Sequence, residues 1–404
     1  MKRHTRNTIQ LKARKEIPIK AGHPWVFSEA ILSGRGESPG EIVRVTSHKN
    51  EFLGIGTWNG LTSIRVRILA RDEDAEINEE FFAGQFQRLE KRKHPFLPHE
   101  TNGYRLVNAD ADSLPGLIVD RYDDVCVFQI HTAGMELFRQ EIIGALDDTF
   151  SPRAIVERSD LEIRRREGLK DMIIGVHKGE VEGPVLFKEC GLSFYADVLE
   201  GQKTGFFLDQ RDARRRTGAY AAGRNVLNLF GYTGAFSLYA ASGGAKGVTM
   251  VESSRDAIDI AGEHFRINNL PAGSVKNVKA DVFDFLSELK KTAPFDMVIC
   301  DPPAFAKTRG KIAQALKAYT GLNMRCLGLL RGGGILITSS CSGRVTEEDF
   351  LGALRIAAGL AARDVQVLEV LGQPPDHTTT LAFPEGRYLN TVILQVLEKT
   401  EISL

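Results

Sequence analysis

Val298-Ile-Cys-Asp-Pro-Pro-Ala-Phe305 and Gly332-Gly-Gly-Ile-Leu-Ile-Thr-Ser-Ser-Cys-Ser-Gly343 are two short apolar runs that each stop at a turn. Runs of this kind, rich in β-branched residues and not alternating with polar ones, are how strands buried on both faces of a parallel sheet read. Each run delivers a chemical group where it stops: Asp301 from the first and Cys341 from the second. In open α/β sheets ligands bind at the carboxyl ends of the strands. The reading therefore sets an acid and a thiol side by side over one crevice.

From Asn225 onward the same kind of run recurs. Strands are expected over 226–230, 248–252, 275–279, 295–299, 334–338, 365–368 and 391–396, with helices between most of them, such as 256–268 and 347–362. Strand, helix, strand at this spacing implies right-handed crossovers and a parallel sheet. The last strand follows a loop, 373–388, with no helix before it, so it is expected to insert antiparallel. Asn228-Leu-Phe-Gly-Tyr-Thr-Gly234 sits where the first strand turns into a helix. A glycine-rich turn there lets backbone N–H groups approach a ligand. Its spacing does not fit a dinucleotide fingerprint. Glu252 ends the second strand, where an acid takes ribose hydroxyls, and Asp281 ends the third, where a carboxylate can accept from an adenine amino group.

A chain of 404 residues is expected to hold two or three domains. No stretch reaches about 18 apolar residues, so no membrane span is expected, and the polar, basic first sixteen residues do not read as a signal peptide. The five cysteines are scattered with no C-x-x-C pair, which suits neither a zinc site nor a disulfide framework. A reducing cytoplasm fits that pattern. Fifty-two basic residues against fifty-two acidic ones exclude a uniformly basic RNA-coating protein. Three local clusters nevertheless offer a nucleic-acid path: Lys2, Arg3, Arg6, Lys12, Arg14, Lys15 and Lys20; Arg164, Arg165 and Arg166; and Arg214, Arg215 and Arg216.

Three domains are expected: a β-rich one over 1–74, a middle α+β one over 75–190, and the parallel-sheet domain over 191–404. In the first, 41–46 and 63–69 alternate apolar with polar residues like half-buried antiparallel strands, and Phe52-Leu-Gly-Ile-Gly-Thr-Trp58 carries glycines suited to bends. In the middle, helices are expected over 77–93 and 135–146, a hairpin over 116–130, and a strand over 154–158.

Lys20-Ala-Gly-His-Pro-Trp-Val-Phe-Ser28 with the short strands around it resembles a PUA domain, an RNA-binding β-barrel. The C-terminal pattern resembles class I S-adenosylmethionine methyltransferases, a Rossmann-like α/β fold. Gln202-Lys-Thr-Gly-Phe-Phe-Leu-Asp-Gln-Arg211 is similar to the donor-binding segment of large-subunit ribosomal RNA methyltransferases. That likeness implies S-adenosylmethionine as methyl donor, bordered by Lys203, Thr204, Phe206 and Asp209. Asn228, Phe230, Tyr232, Thr233 and Gly234 would form the turn beneath it, with Glu252, Asp281 and Asp301 completing the donor site. Asn228 stands where an acid is usual.

Asp301-Pro302-Pro303-Ala304-Phe305 resembles the fourth methyltransferase motif, which by itself points to methylation of a nitrogen. Cys341 points elsewhere. Carbon 5 of cytosine accepts a methyl group only after a thiolate has added to carbon 6, which is covalent catalysis. Cys341 lies in a Ser/Gly turn, not in an apolar element. The pair of motifs resembles the RNA cytosine-5 methyltransferases, and the whole chain resembles the subfamily of bacterial 23S rRNA cytosine-C5 methyltransferases with an N-terminal PUA domain. The resemblance implies Cys341 and Asp301 as catalytic residues, 23S-type ribosomal RNA as partner and a cytoplasmic place of work, and it allows a homodimer. Ala304 stands where many relatives carry a second cysteine, so the base for the elimination step is water, Asp301 or a group of the Asp376-His377 loop. Tyr232, Phe305 and Tyr319 are candidates for stacking on the base. The competing readings are a ribosomal RNA guanine N-methyltransferase, an RNA-binding ribosome assembly factor, and a protein methyltransferase.

Overall fold

The computed structural model describes residues 7–271, 273–289, 295–305 and 309–398. Lys2, Arg3 and Arg6 of the first basic cluster lie outside the described residues. The chain forms two compact units: Met1–Gly191 with Tyr195–Leu208 and Pro375–Gly386, and Leu192–Phe194 with Asp209–Pro374 and Arg387–Leu404.

The second unit is built on seven strands: β1 (Asn225–Leu229), β2 (Gly247–Glu252), β3 (Val275–Lys279), β4 (Phe295–Cys300), β5 (Leu330–Ser340), β6 (Val365–Leu371) and β7 (Asn390–Val396). Their order is β3-β2-β1-β4-β5-β7-β6. The first five pair in parallel, and β7 inserts antiparallel to both β5 and β6. Leu227 lies beside Val298, and Val298 beside Leu336. Val298 and Cys300 face one core with Leu227, Tyr319 and Phe350, whereas Met297 and Ile299 face another with Val226, Ile337 and Ile393. Both faces are covered, which is why the run has no polar alternation. Each such side chain contributes about 1.5–3 kcal/mol through burial. β5 begins earlier than its glycines suggest: Phe295 pairs with Leu330 but Met297 with Ile335, so Arg331–Gly334 bulge out of register.

The first unit holds a six-stranded sheet formed by Asn7–Leu11, Trp25–Phe27, Ile31–Ser33, Ile42–Thr46, Phe52–Trp58 and Ile64–Ala70. A Cβ on Gly56 would lie 2.4 Å from the Arg67 carbonyl oxygen, so the close strand crossing there requires glycine. A five-stranded sheet follows, with Gly103–Asn108, Leu117–Tyr122, Val125–Ile130, Ala154–Ser159 and Ile173–Lys178 side by side in that order. Ile42, Ile55 and Leu69 of the first sheet share one core with Phe82, Phe86 and Leu106, which joins both sheets into one unit. Buried Glu167 adds a polar tie, accepting from Asn59 Nδ2 at 2.8 Å and from Arg67 at 2.7 Å.

The helix expected over 135–146 is instead two helices, Ala133–Glu136 and Arg139–Phe150. Phe138 between them is fully buried with ψ of 18°; burying its ring turns the chain out of the helix. The basic clusters are also thinner than the sequence implies. Arg164 is buried, donating to the carbonyl oxygens of Ile130 (2.7 Å) and Asp171 (3.0 Å) and pairing with Glu136. Arg214 is buried and Arg216 is paired with Glu369, leaving Arg165, Arg166 and Arg215 exposed.

Candidate active site

β4 and β5 are neighbours, and both end at the same edge of the sheet. Asp301 follows β4 directly, and its Oδ1 accepts a hydrogen bond from Gln210 Nε2 at 2.8 Å. Cys341 follows β5. Its thiol donates to the Pro302 carbonyl oxygen at 3.7 Å, so the thiol and the Asp-Pro-Pro turn touch. Pro302 and Pro303 have no N–H of their own, so this turn presents carbonyls. Cys341 is half-buried, whereas Cys300 and Cys326 are fully buried.

The Cys341 turn is held from three sides. Ser342 Oγ lies 3.1 Å from the Tyr319 hydroxyl. Ser339 Oγ lies 2.9 Å from Thr391 Oγ1 on β7. A Cβ on Gly343 would sit 3.3 Å from Tyr388, whose hydroxyl donates to Asp209 Oδ2 at 2.8 Å. Tyr388 thus packs on the thiol's turn and bonds the buried Asp209. Phe305 is half-buried, its ring 4.8 Å from Tyr319. Tyr319 itself has no exposed surface and packs as core against Phe305 and Phe350, which removes it from the stacking candidates.

The turn after β1 has an unusual backbone. Phe230, Tyr232 and Gly234 all have positive φ (58°, 45° and 76°), while Gly231 and Thr233 between them do not. Two of these three are non-glycine residues in a region that costs about 1–2 kcal/mol each. The turn spends its N–H groups inside the fold: Gly231 N–H donates to the Val251 carbonyl oxygen at 3.0 Å and Gly234 N–H to that of Gly231 at 2.9 Å. A Cβ on Gly231 would meet Met250 Cγ at 2.3 Å, so the turn closes tightly over β2. Buried His264 donates from Nδ1 to the Thr233 carbonyl oxygen at 2.8 Å.

Glu252 is half-buried and ties the β1 and β2 ends together: Oε2 accepts from Tyr232 N–H at 2.8 Å, and Oε1 from Ser253 and Ser254 N–H at 2.8 Å each. Asp281 is exposed and caps the helix Val282–Glu288, with Oδ1 accepting from Phe283 and Asp284 N–H. Phe230 is half-buried, and its ring stands edge-on to that of exposed Phe283 at 6.1 Å. Asn228, by contrast, points inside, bonding Ser237 Oγ at 2.9 Å. Lys203, Thr204 and Phe206 belong to the first unit. Lys203 is exposed with its ammonium 4.3 Å from the Phe207 ring, whereas Thr204 and Phe206 are buried. The Asp376-His377 pair is also in the first unit and buried, with Asp376 accepting from Arg105 N–H.

Gln210, His264 and Tyr388 support these groups yet carry no sequence signal of that role. Gln210 alone was within reach, inside the Lys-Thr-Gly-Phe-Phe-Leu-Asp-Gln-Arg segment.

The strand order with an antiparallel seventh strand, a tight turn after β1 and acids at the next two strand ends define the class I methyltransferase fold. The chain belongs to the S-adenosylmethionine-dependent methyltransferase family: residues 171–382 match it, and residues 9–71 match a PUA-like domain. It is 38% identical over 392 residues to ribosomal RNA large subunit methyltransferase I of Shewanella amazonensis, covering 96% of this chain and 99% of that one. To the protein of the same name in Aeromonas salmonicida it is 36% identical over 390 residues, covering 96% and 98%. Among solved structures, a SAM-dependent methyltransferase from Streptococcus mutans superposes with a TM-score of 0.81 at 25% identity, covering 96% of this chain and all of the other. A methyltransferase complexed with SAH matches with a TM-score of 0.83, also at 25% identity and with the same coverage. Among the described residues, no helix is long and apolar enough to cross a membrane.

Proposed function

We propose that this protein methylates carbon 5 of a cytosine in large-subunit ribosomal RNA, with Cys341 as the nucleophile. The observation that carries the reading is the contact between the Cys341 thiol and the Asp301-Pro302-Pro303 turn on the adjacent strand. The names of the relatives support ribosomal RNA as substrate, and the PUA-like match supports an RNA partner. A ribosomal RNA substrate fits a cytoplasmic place of work.

S-adenosylmethionine supplies the methyl group. The turn from Phe230 to Gly234 would hold it, together with Glu252 at the ribose hydroxyls and Asp281 at the adenine amino group; Asp209, which accepts from the Tyr388 hydroxyl, would border it. Lys203, Thr204 and Phe206 enter through the family likeness of their segment. The target cytosine has to be single-stranded or turned out of its helix, at about a few kcal/mol.

The half-exposed Cys341 thiol gives up its proton to water, and with it the hydrogen bond to Pro302. The thiolate then adds to carbon 6, which makes carbon 5 enamine-like. Asp301, fixed by Gln210, accepts from the exocyclic amino group of the cytosine. After methyl transfer, the carbon 5 proton leaves to water or Asp301, and the sulfur is expelled as thiolate. The structure engages Asp376 with Arg105 N–H, which favours these two acceptors over the Asp376-His377 loop.

The test uses ribosomal RNA fragments containing 5-fluorocytosine, with S-adenosylmethionine, comparing the wild type with Cys341→Ala. Fluorine cannot leave as a proton does, so a donor-dependent covalent complex is expected from the wild type and none from the variant. Methylation of natural RNA that survives in Cys341→Ala would overturn the reading in favour of a nitrogen acceptor.

A further inference from the structure

We infer that Asp120, Tyr122 and Arg158, on the five-stranded sheet of the first unit, are positioning residues for the donor-binding loop. The inference rests on the reading of Gln202–Arg211 as a donor segment, and it sorts that segment into contact and anchor residues.

The loop from Asp197 to Phe206 turns back on itself. Asp197 Oδ1 accepts from Leu199 and Glu200 N–H, its carbonyl from Gly201 N–H, and the Gln202 carbonyl from Gly205 N–H. Lys203 sits at φ 55° and Gly205 at φ 124°; a Cβ on Gly205 would come within 2.9 Å of Asp197 backbone. A left-handed lysine is unfavourable unless the surroundings hold it.

The sheet provides that hold at two points. Arg158 donates to the Val198 carbonyl oxygen at 3.2 Å and to the Gly201 carbonyl oxygen at 2.8 Å, while Asp160 pairs with the same guanidinium. Beyond Lys203, the Thr204 hydroxyl donates to Asp120 Oδ2 at 2.6 Å. Asp120 is itself gripped by Arg105 through two bonds of 2.8 Å. An ionised carboxylate only accepts, so the Thr204 proton points to Asp120, and the Tyr122 hydroxyl, 2.9 Å away, donates into the Thr204 oxygen. Tyr122 also reaches the Phe206 carbonyl at 3.4 Å, and the rings of Tyr122, Phe187 and Phe206 stack edge to face in series. Burial keeps the Tyr122 hydroxyl protonated, so it remains a donor.

Lys203 is therefore held up between two anchored points. Thr204 and Phe206 face their own unit and act as anchors, and Lys203 is the residue presented outward.

The test compares Tyr122→Phe, Thr204→Val, Arg158→Gln and Lys203→Ala in the full chain. It uses calorimetric affinity for S-adenosylhomocysteine and amide hydrogen exchange over 197–206. Loss of one or two hydrogen bonds in each anchor variant is expected to speed exchange in the loop and weaken binding by about five- to tenfold, with the seven-stranded sheet unchanged. Lys203→Ala is expected to weaken binding without changing exchange. Tyr122→Phe removes a single oxygen, so it keeps the test valid if Arg158→Gln does not fold. Unchanged exchange in Tyr122→Phe and Thr204→Val, or faster exchange with undiminished affinity while Lys203→Ala binds weakly, overturns the positioning role. Undiminished affinity in all four variants removes the segment from the donor site and takes the inference with it.

Discussion

Surroundings separate the five cysteines of this chain. Burial pushes the Cys126 thiol up to about 12, and hydrogen bonding with Cys326 together with burial pushes Cys300 well up. Both remain thiols at neutral pH, and nucleophilic sulfur chemistry needs a thiolate within reach of its target. Cys341 is half-exposed at a strand end, in a turn fixed by Ser342 and Tyr319. Tyr319→Phe removes the hydroxyl bonded to Ser342. It should cost about 0.5–1.5 kcal/mol of stability and slow formation of the 5-fluorocytosine adduct while leaving affinity for S-adenosylhomocysteine unchanged. Urea melts, adduct kinetics and calorimetry check this; an adduct rate equal to wild type would show that Tyr319 is packing alone.

At the scale of the element, the turn after β1 decides whether the sheet has a ligand edge. Three left-handed residues and Gly231 against Met250 leave no room for a side chain there. Gly231→Ala should destabilise the protein by about 1–3 kcal/mol through overpacking and weaken S-adenosylhomocysteine binding. Calorimetry beside a denaturant melt measures both. Wild-type affinity in the variant would show that the turn does not touch the donor. The pair Arg105–Asp120 is the matching element in the first unit. Arg105→Met leaves a buried carboxylate without its cation and should lower stability by about 3–5 kcal/mol, read as a shift in denaturant midpoint.

At the scale of the whole molecule, stability should depend on pH through His131. Burial, with Arg105 and Arg164 nearby, lowers its pKa to about 4 from 6.5. The folded chain thus binds its proton less readily than the unfolded chain. The stabilisation from the neutral ring is fully present above about pH 6.5 and is lost as pH falls toward 4, on the order of 3 kcal/mol. His131→Gln should flatten the unfolding free energy between pH 6.5 and 4 relative to wild type. An unchanged slope would place the titration elsewhere.

Much of the fold was legible in the chain itself. Strands buried on both faces must be apolar throughout, so Val226–Leu229, Met297–Cys300 and Ile335–Ile337 declare themselves. A loop without a helix before Thr391 forces the last strand to insert antiparallel. Asp301 and Cys341 stood out because they interrupt such runs at turns. What only the tertiary structure decided depends on partners far away in sequence. Phe138 breaks a helix because a core takes its ring. Arg164 and Arg214 turn inward although their neighbours stay exposed. Thr204, read as a donor contact, bonds Asp120 and Tyr122 of the five-stranded sheet. Periodicity and turn chemistry are local and can be read along a chain; the bonding of a single hydroxyl or guanidinium depends on which elements the fold brings beside it.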